Sequence, residues 1–344
     1  MFALSTSERI AYGAGSLATA TYAVVPGLLL LYYLTNVLGV AASVAGFVVF
    51  LPKLLDVVCN PTVGRLSDTT VSRWGPRRPW MIAGMFIFPA GFVTIFACPF
   101  TGASAAWWVG LVIALTGMGF SAFVVPFGVL PAELGASSEE RRSMTAWRMA
   151  FLGVAILAAG AVAPLMVSAS GGGPQGYRLM AVVMGGLVFL GACAAIYSAR
   201  RSAHTTVSAA PQGAGSFRDA LTTARHNRPF SIVFIVFLLV EVVISVALAG
   251  LPYIAEQVLG SEDVVALLFV CVLAPLLLTM PIWTRSALRF GDKRCLQAAL
   301  ALLGLGASMC TALLWVDESN RFAIACTALL LASIFREDVG VTGV

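Results

Sequence analysis

Charge is scarce in this chain. Its 344 residues include 21 Lys and Arg, 16 Asp and Glu and 2 His, so charged residues make up 11% of the whole. Soluble domains carry roughly a quarter, and so small a share cannot clothe a water-facing surface of this size. Histidine is rarer still: His204 and His226 fall in one polar stretch, where solvated side chains are expected, and no apolar run contains one. Neither HExxH nor GxSxG occurs, so the sequence offers no basis for an enzyme reading. The seven cysteines (59, 98, 193, 271, 295, 310 and 326) form no CxxC and have no His beside them. They read as small buried hydrophobes rather than a metal or disulfide framework, and no cofactor is implied. A signal-peptide pattern is also missing, because residues 1–9 run straight into an apolar segment longer than an h-region.

What the chain has in abundance is apolar length. Hydrophobic residues make up 59%, and the mean hydropathy is +0.93. A spanning helix needs about 20 mostly apolar residues. That criterion predicts spans near 10–35, 42–64, 80–99, 106–133, 147–168, 178–199, 229–252, 264–284 and 295–315, with a tenth starting near 322. Each is too long and too continuously apolar for a strand, so the fold class is all-α and integral to a membrane. Arginine sets the orientation. Arg9, then Arg65, Arg73, Arg77 and Arg78, then Arg141, Arg142 and Arg148 fall on one side, while the loops near 36–42, 99–106, 169–177 and 253–263 contain no Lys or Arg. The asymmetry places the N-terminus in the cytoplasm. It also accounts for the net charge of +5 without any nucleic-acid partner.

The longest connection, 200–228, is rich in Ala, Ser and Thr with Pro and Gly, and reads as a cytoplasmic linker. It separates a six-helix bundle over 1–199 from a second bundle over 229–344. The two halves echo each other. Tyr33 and Val37-Leu38-Gly39 close the first span, as Tyr253 and Val258-Leu259-Gly260 close the seventh; Trp74-Gly75-Pro76-Arg77-Arg78 recurs as Phe290-Gly291-Asp292-Lys293-Arg294. Parallel repeats of this kind place a substrate site between halves at mid-membrane. The end departs from the pattern, since after Phe322 only a short apolar stretch precedes Arg336-Glu337-Asp338 and the tail VGVTGV. The second half is therefore expected to be incomplete, by truncation or by an out-of-frame tail.

Ionisable groups at bilayer depth cost at least ~2.5–3.5 kcal/mol at the centre, and default to function. Lys53, Asp56 and Asn60 share one face of the second helix. A carboxylate beside neutral oxygens suits a hard monovalent cation or a proton. The competing reading is a structural Lys53–Asp56 pair, an expensive way to hold helices together. Glu241 sits mid-span in the seventh helix; a proton carrier and a protonated carboxyl bonded across helices are equally open readings. Arg148, placed at the opening of the fifth helix, reads either as a cavity group for an anionic or hydroxyl-rich solute or as a snorkelling side chain. Asp68, among Arg65, Arg73, Arg77 and Arg78 in a Gly- and Ser-rich turn, reads with Arg77 and Arg78 as an ion-pair gate that breaks when the halves rock. Tyr12, Tyr22, Tyr32, Tyr33, Trp107, Trp108 and Trp147 read as interface or packing residues.

Three stretches carry a family resemblance: AYGAGSLA (11–18), DVVCNPTVGRLSDTTVSRWGPRRPW (56–80) and VPFGVLPAELGASSEERRSMTAWR (125–148). They resemble the glycoside-pentoside-hexuronide:cation symporters, the melibiose-permease-like branch of the major facilitator superfamily. The resemblance implies a major-facilitator-type helical bundle with a complete six-helix N-terminal half and a partial C-terminal half, about nine to ten spans in all. It implies alternating access, with uptake of a glycoside-like solute driven by Na⁺, Li⁺ or H⁺. By position, Asp56 matches the first cation-site carboxylate, Asn60 replaces the second, Lys53 stands for a basic residue one turn earlier, and Arg148 for a cavity arginine. Ser16, Val124 and Gly128 stand where many members have sugar-binding groups on helices 1 and 4. Their replacement departs from melibiose-like recognition, and Asn60 favours H⁺ or a single-carboxylate site.

The expected protein is thus a monomeric secondary transporter of a bacterial plasma membrane, handling a small polar solute with H⁺ or Na⁺. A transport-incompetent truncated membrane protein or binding paralogue is the alternative.

Overall fold

A hydroxyl and a glutamate start the chain's first helix. Ser5 Oγ accepts a hydrogen bond from the Glu8 amide at 3.3 Å, and Glu8 Oε2 accepts one from the Ser5 amide at 2.9 Å, a reciprocal cap. The computed structural model describes residues 5–135, 137–200, 228–258, 260 and 264–271 and positions 301, 304, 305 and 308. Helix α1 spans Thr6–Tyr32 and runs into a π-helical turn, Tyr33–Val37. Then come α2 (Ala42–Thr69), α3 (Arg78–Phe96), α4 (Gly102–Leu134), α5 (Ser138–Ala169) and α6 (Gly173–Ser198). Among the described residues these six are long and apolar enough to cross a membrane. By residue contacts the chain divides into two compact units, with α1–α6 in the first and α7 (Arg228–Tyr253) in the second.

Among the boundaries that differ from expectation, two matter for the site. Helix α2 runs to Thr69, so Asp68 lies in its last turn and not in the connecting turn. Within that last turn the side chains of Ser67 and Thr69 satisfy themselves on the carbonyls of Gly64 and Arg65. Helix α5 starts at Ser138, capped by Ser137, whose hydroxyl accepts from the Glu140 amide at 3.1 Å. Glu139 and Glu140 favour that positive end. Arg148 therefore does not open α5; it lies about 15 Å along it at 1.5 Å per residue.

Within the first unit α1 is the innermost helix. It packs on α5 and α6, while α3 packs on α4 and α6, and α2 on α4. Of the apolar window in α1, 61% is buried, against 11% in α2, so α2 turns most of its surface outward. Close approach relies on glycine: a Cβ on Gly84 of α3 would stand 2.7 Å from the Gly119 carbonyl of α4. The aromatic core joins Tyr12, Phe88, Phe123 and Phe127 with Met81 and Met144.

The echo between the halves is visible in the backbone. Tyr33–Val37 and Ile254–Val258 are both π-helical turns, and Gly39 and Gly260 that follow have φ of +69° and +68°. The linker with His204 and His226, the segment 290–294 and the tenth span lie outside the described residues. The spans expected at 264–284 and 295–315 are described only in part.

Candidate functional site

Asp56 on α2 is half-buried and faces α4, where the Ser121 hydroxyl donates to its Oδ1 at 3.5 Å. Lys53, one turn earlier, acts on Asp56 through space, but its side chain is exposed and closes no ion pair with the carboxylate. Asn60, one turn later, has an enclosed Oδ1 with no hydrogen-bond partner. Tyr22 of α1 stacks on Phe120, the residue before Ser121, with ring centroids 4.5 Å apart, and stands within electrostatic reach of Asp56. The arrangement gathers a carboxylate, a hydroxyl and an unpaired amide oxygen. Oxygen donors with one net charge can hold a small hard cation or a proton.

A second cluster lies around Arg148 of α5. Its guanidinium donates to the Tyr12 hydroxyl at 3.4 Å and sits 5.1 Å above the Phe127 ring. No carboxylate pairs with it among the described residues. Tyr12 is fully buried, so of the two expected readings it is a packing residue and not an interface-belt one, and it is also the arginine's partner. On α4, Gly128 is exposed with open space where a Cβ would be, and Val124, one turn before it, is half-buried. Ser16 is different: it is fully enclosed and its hydroxyl has no partner, so it does not reach an open face. Glu241 lies on α7 of the second unit, half-exposed.

The third cluster closes the arginine-rich end. Arg77, at the start of α3, is only 8% exposed. It pairs with Asp68 of α2, donates from Nε to Glu133 of α4 at 2.7 Å, and donates to Ser67 at 2.7 Å. Burial opposes its charge, but the two carboxylates outweigh burial and hold the guanidinium more firmly protonated than usual. Among the described residues its partners all belong to the first unit, so the latch ties α2, α3 and α4 together. Arg78 does not join it, and its enclosed Nε has no partner. Gly75, with φ of +86°, turns the chain between Trp74 and Arg77.

Sequence reasoning passed over Ser121 and Glu133, and read Tyr22 only as an interface or packing residue. Glu133 is the sole acid between Asp68 and Glu139, a visible signal. Ser121, inside the small and aromatic run GFSAF, gives none.

Residues 11–339 match the family model described as MFS/sugar transport protein. The chain belongs to this family. The uncharacterized symporter YnaJ of Bacillus subtilis is 27% identical over 336 residues, covering 96% of this chain and 71% of YnaJ. The inner membrane symporter YicJ of Escherichia coli is 22% identical over 264 residues, 76% of this chain and 56% of YicJ. Among solved structures, the crystal structure of a D-xylose-proton symporter superposes with a TM-score of 0.65 at 17% identity, covering 97% of this chain and 80% of that one. This MFS protein is an integral membrane transporter, not an enzyme.

Proposed function

We propose that this MFS protein is a secondary active transporter that couples movement of a small polar solute, of the sugar or glycoside class, to H⁺ or Na⁺ by alternating access. The observation that carries the reading is Asp56, a carboxylate in a membrane-spanning helix that meets a neutral hydroxyl and, among the described residues, no closed ion pair. A charge kept there without a salt bridge is costly unless it binds something mobile. Asp56 binds the cation, Ser121 and Asn60 complete its oxygen donors, and Lys53 tunes the site. Arg148, beside Val124 and Gly128, meets hydroxyl or anionic groups of the solute. The symporter names of the relatives and the sugar-transport description of the family support the coupling and the solute class. YicJ's inner-membrane name and the arginine asymmetry support a bacterial plasma membrane with the N-terminus inside. Residues 1–199 and 229–344 form the two halves, joined by 200–228.

The test is flux in proteoliposomes holding the full chain, driven by a proton or a sodium gradient. Wild type accumulates a sugar or glycoside under one gradient, and Asp56→Asn loses gradient-driven accumulation while retaining its helical circular-dichroism spectrum. Normal accumulation by the variant contradicts the assignment of Asp56. Absence of flux in the wild type under either gradient favours the transport-incompetent alternative.

A further inference from the structure

Arg78 and Arg200 form a pair of like charges that the transport reading leaves unused. Arg78 is the first residue of α3, with an enclosed Nε that has no partner. Arg200 follows the end of α6 and is exposed, its guanidinium 4.7 Å above the Tyr197 ring. Met85 of α3 meets Cys193 of α6 and Phe86 meets Phe189, so the start of α3 and the end of α6 share one end of the seam, which places Arg78 and Arg200 there together; no carboxylate pairs with either among the described residues. Their neighbour Arg77 takes both nearby acids, Asp68 and Glu133, for itself. Two cations held together without an acid repel each other, and an anion between them removes that cost.

The surface below them is apolar. Helices α3 and α6 meet at Phe86 and Phe189, with ring centroids 5.9 Å apart, and at Met85 and Cys193, with sulfurs 3.5 Å apart. Phe86 is 57% exposed, Leu190 66% and Tyr197 46%, so the seam faces outward along its length. In a membrane protein such a seam faces acyl chains. A doubly cationic head above an apolar seam matches one kind of molecule, a phospholipid with a net negative headgroup.

We propose that Arg78 and Arg200 bind the phosphodiester of an anionic phospholipid, with its chains lying along the α3–α6 seam. The site is separate from the solute and cation groups and does not depend on their assignment. Arg78 donates through its terminal nitrogens, and Arg200 closes over the headgroup from the Tyr197 side.

The experiment is native mass spectrometry of the purified full chain titrated with phosphatidylglycerol and, separately, with phosphatidylcholine of the same chains. A basic side chain near a membrane surface contributes about fivefold to anionic-lipid affinity. Wild type should therefore prefer phosphatidylglycerol, Arg200→Gln should lose about fivefold of that preference, and the double variant R78Q/R200Q should lose it all. R78K/R200K keeps the charges and should retain most of the binding, which separates lost recognition from lost folding. Three results would overturn the proposal. One is equal binding of the two lipids to wild type. Another is an equal loss on R65Q/R73Q, arginines at the same end outside the seam. The last is full displacement by millimolar inorganic phosphate, which would make the site one for a free anion.

Discussion

Arg77 and Arg148 have the same side chain in the same helical bundle and opposite surroundings. Arg77 has both faces of its charge answered by Asp68, Glu133 and Ser67. Arg148 has only a tyrosine hydroxyl at 3.4 Å and the face of a phenylalanine. A guanidinium has five N–H donors; Arg77 has three engaged, two of them on carboxylates that match its charge, whereas Arg148 has one engaged and no carboxylate among the described residues. The difference teaches how to separate a structural cation from a binding one: count what its donors already hold. Asp56 follows the same rule, since one hydroxyl at 3.5 Å leaves a carboxylate with most of its acceptor positions open.

The comparison breaks most readily at Arg77. Arg77→Gln takes the shared cation from two carboxylates; breaking a buried pair costs about 3–5 kcal/mol. Asp68 is 46% and Glu133 22% exposed, so solvent screening brings the expected loss to about 2 kcal/mol. A thermal melt of the detergent-purified protein checks this, and Glu133→Gln should lower the midpoint more than Asp68→Asn because its carboxylate is less exposed. Arg148 should behave in the opposite way. Arg148→Lys keeps the charge but loses the planar fork and the stacking on Phe127. The expected outcome is an apparent KM for solute raised about tenfold, roughly 1.4 kcal/mol of binding, with an unchanged melting midpoint. A change in stability equal to that of Arg77→Gln would show that Arg148 is structural as well. The smallest effect tests the Asp56 end. Asn60→Asp adds a second carboxylate one turn away and should raise the apparent Na⁺ affinity in flux measurements about fivefold, as added ligand charge does at cation sites.

Much of this was legible in the sequence, because lipid makes apolar length the dominant signal and arginine asymmetry follows from it. The six helices of the first unit lie near their expected spans, and the polar triplet Lys53, Asp56 and Asn60 stands where its spacing places it. The boundary errors share one cause. Hydropathy sees only the oily part of a helix, so the polar first turns of α5 and the last turn of α2 looked like loops. Ser137, with Glu140 three residues on, was the cap signal that would have moved α5 to its true start. The contacts themselves were less legible. That Glu133 reaches Arg77 depends on α4 ending beside α3. That Ser121 meets Asp56 depends on the register of α2 against α4, and neither is written in a local pattern. Asp68 and Arg77 do pair, and a second acid on α4, Glu133, joins them in a clamp within the first unit.

The most direct measurement is an infrared difference spectrum of the purified full chain, recorded as Na⁺ or H⁺ is exchanged in the surrounding buffer, for wild type and Asp56→Asn. A carboxylate band should shift with one of these ions in wild type, and that shift should be missing in Asp56→Asn and altered in Ser121→Ala. A cation-dependent carboxylate band that survives unchanged in Asp56→Asn would contradict the account.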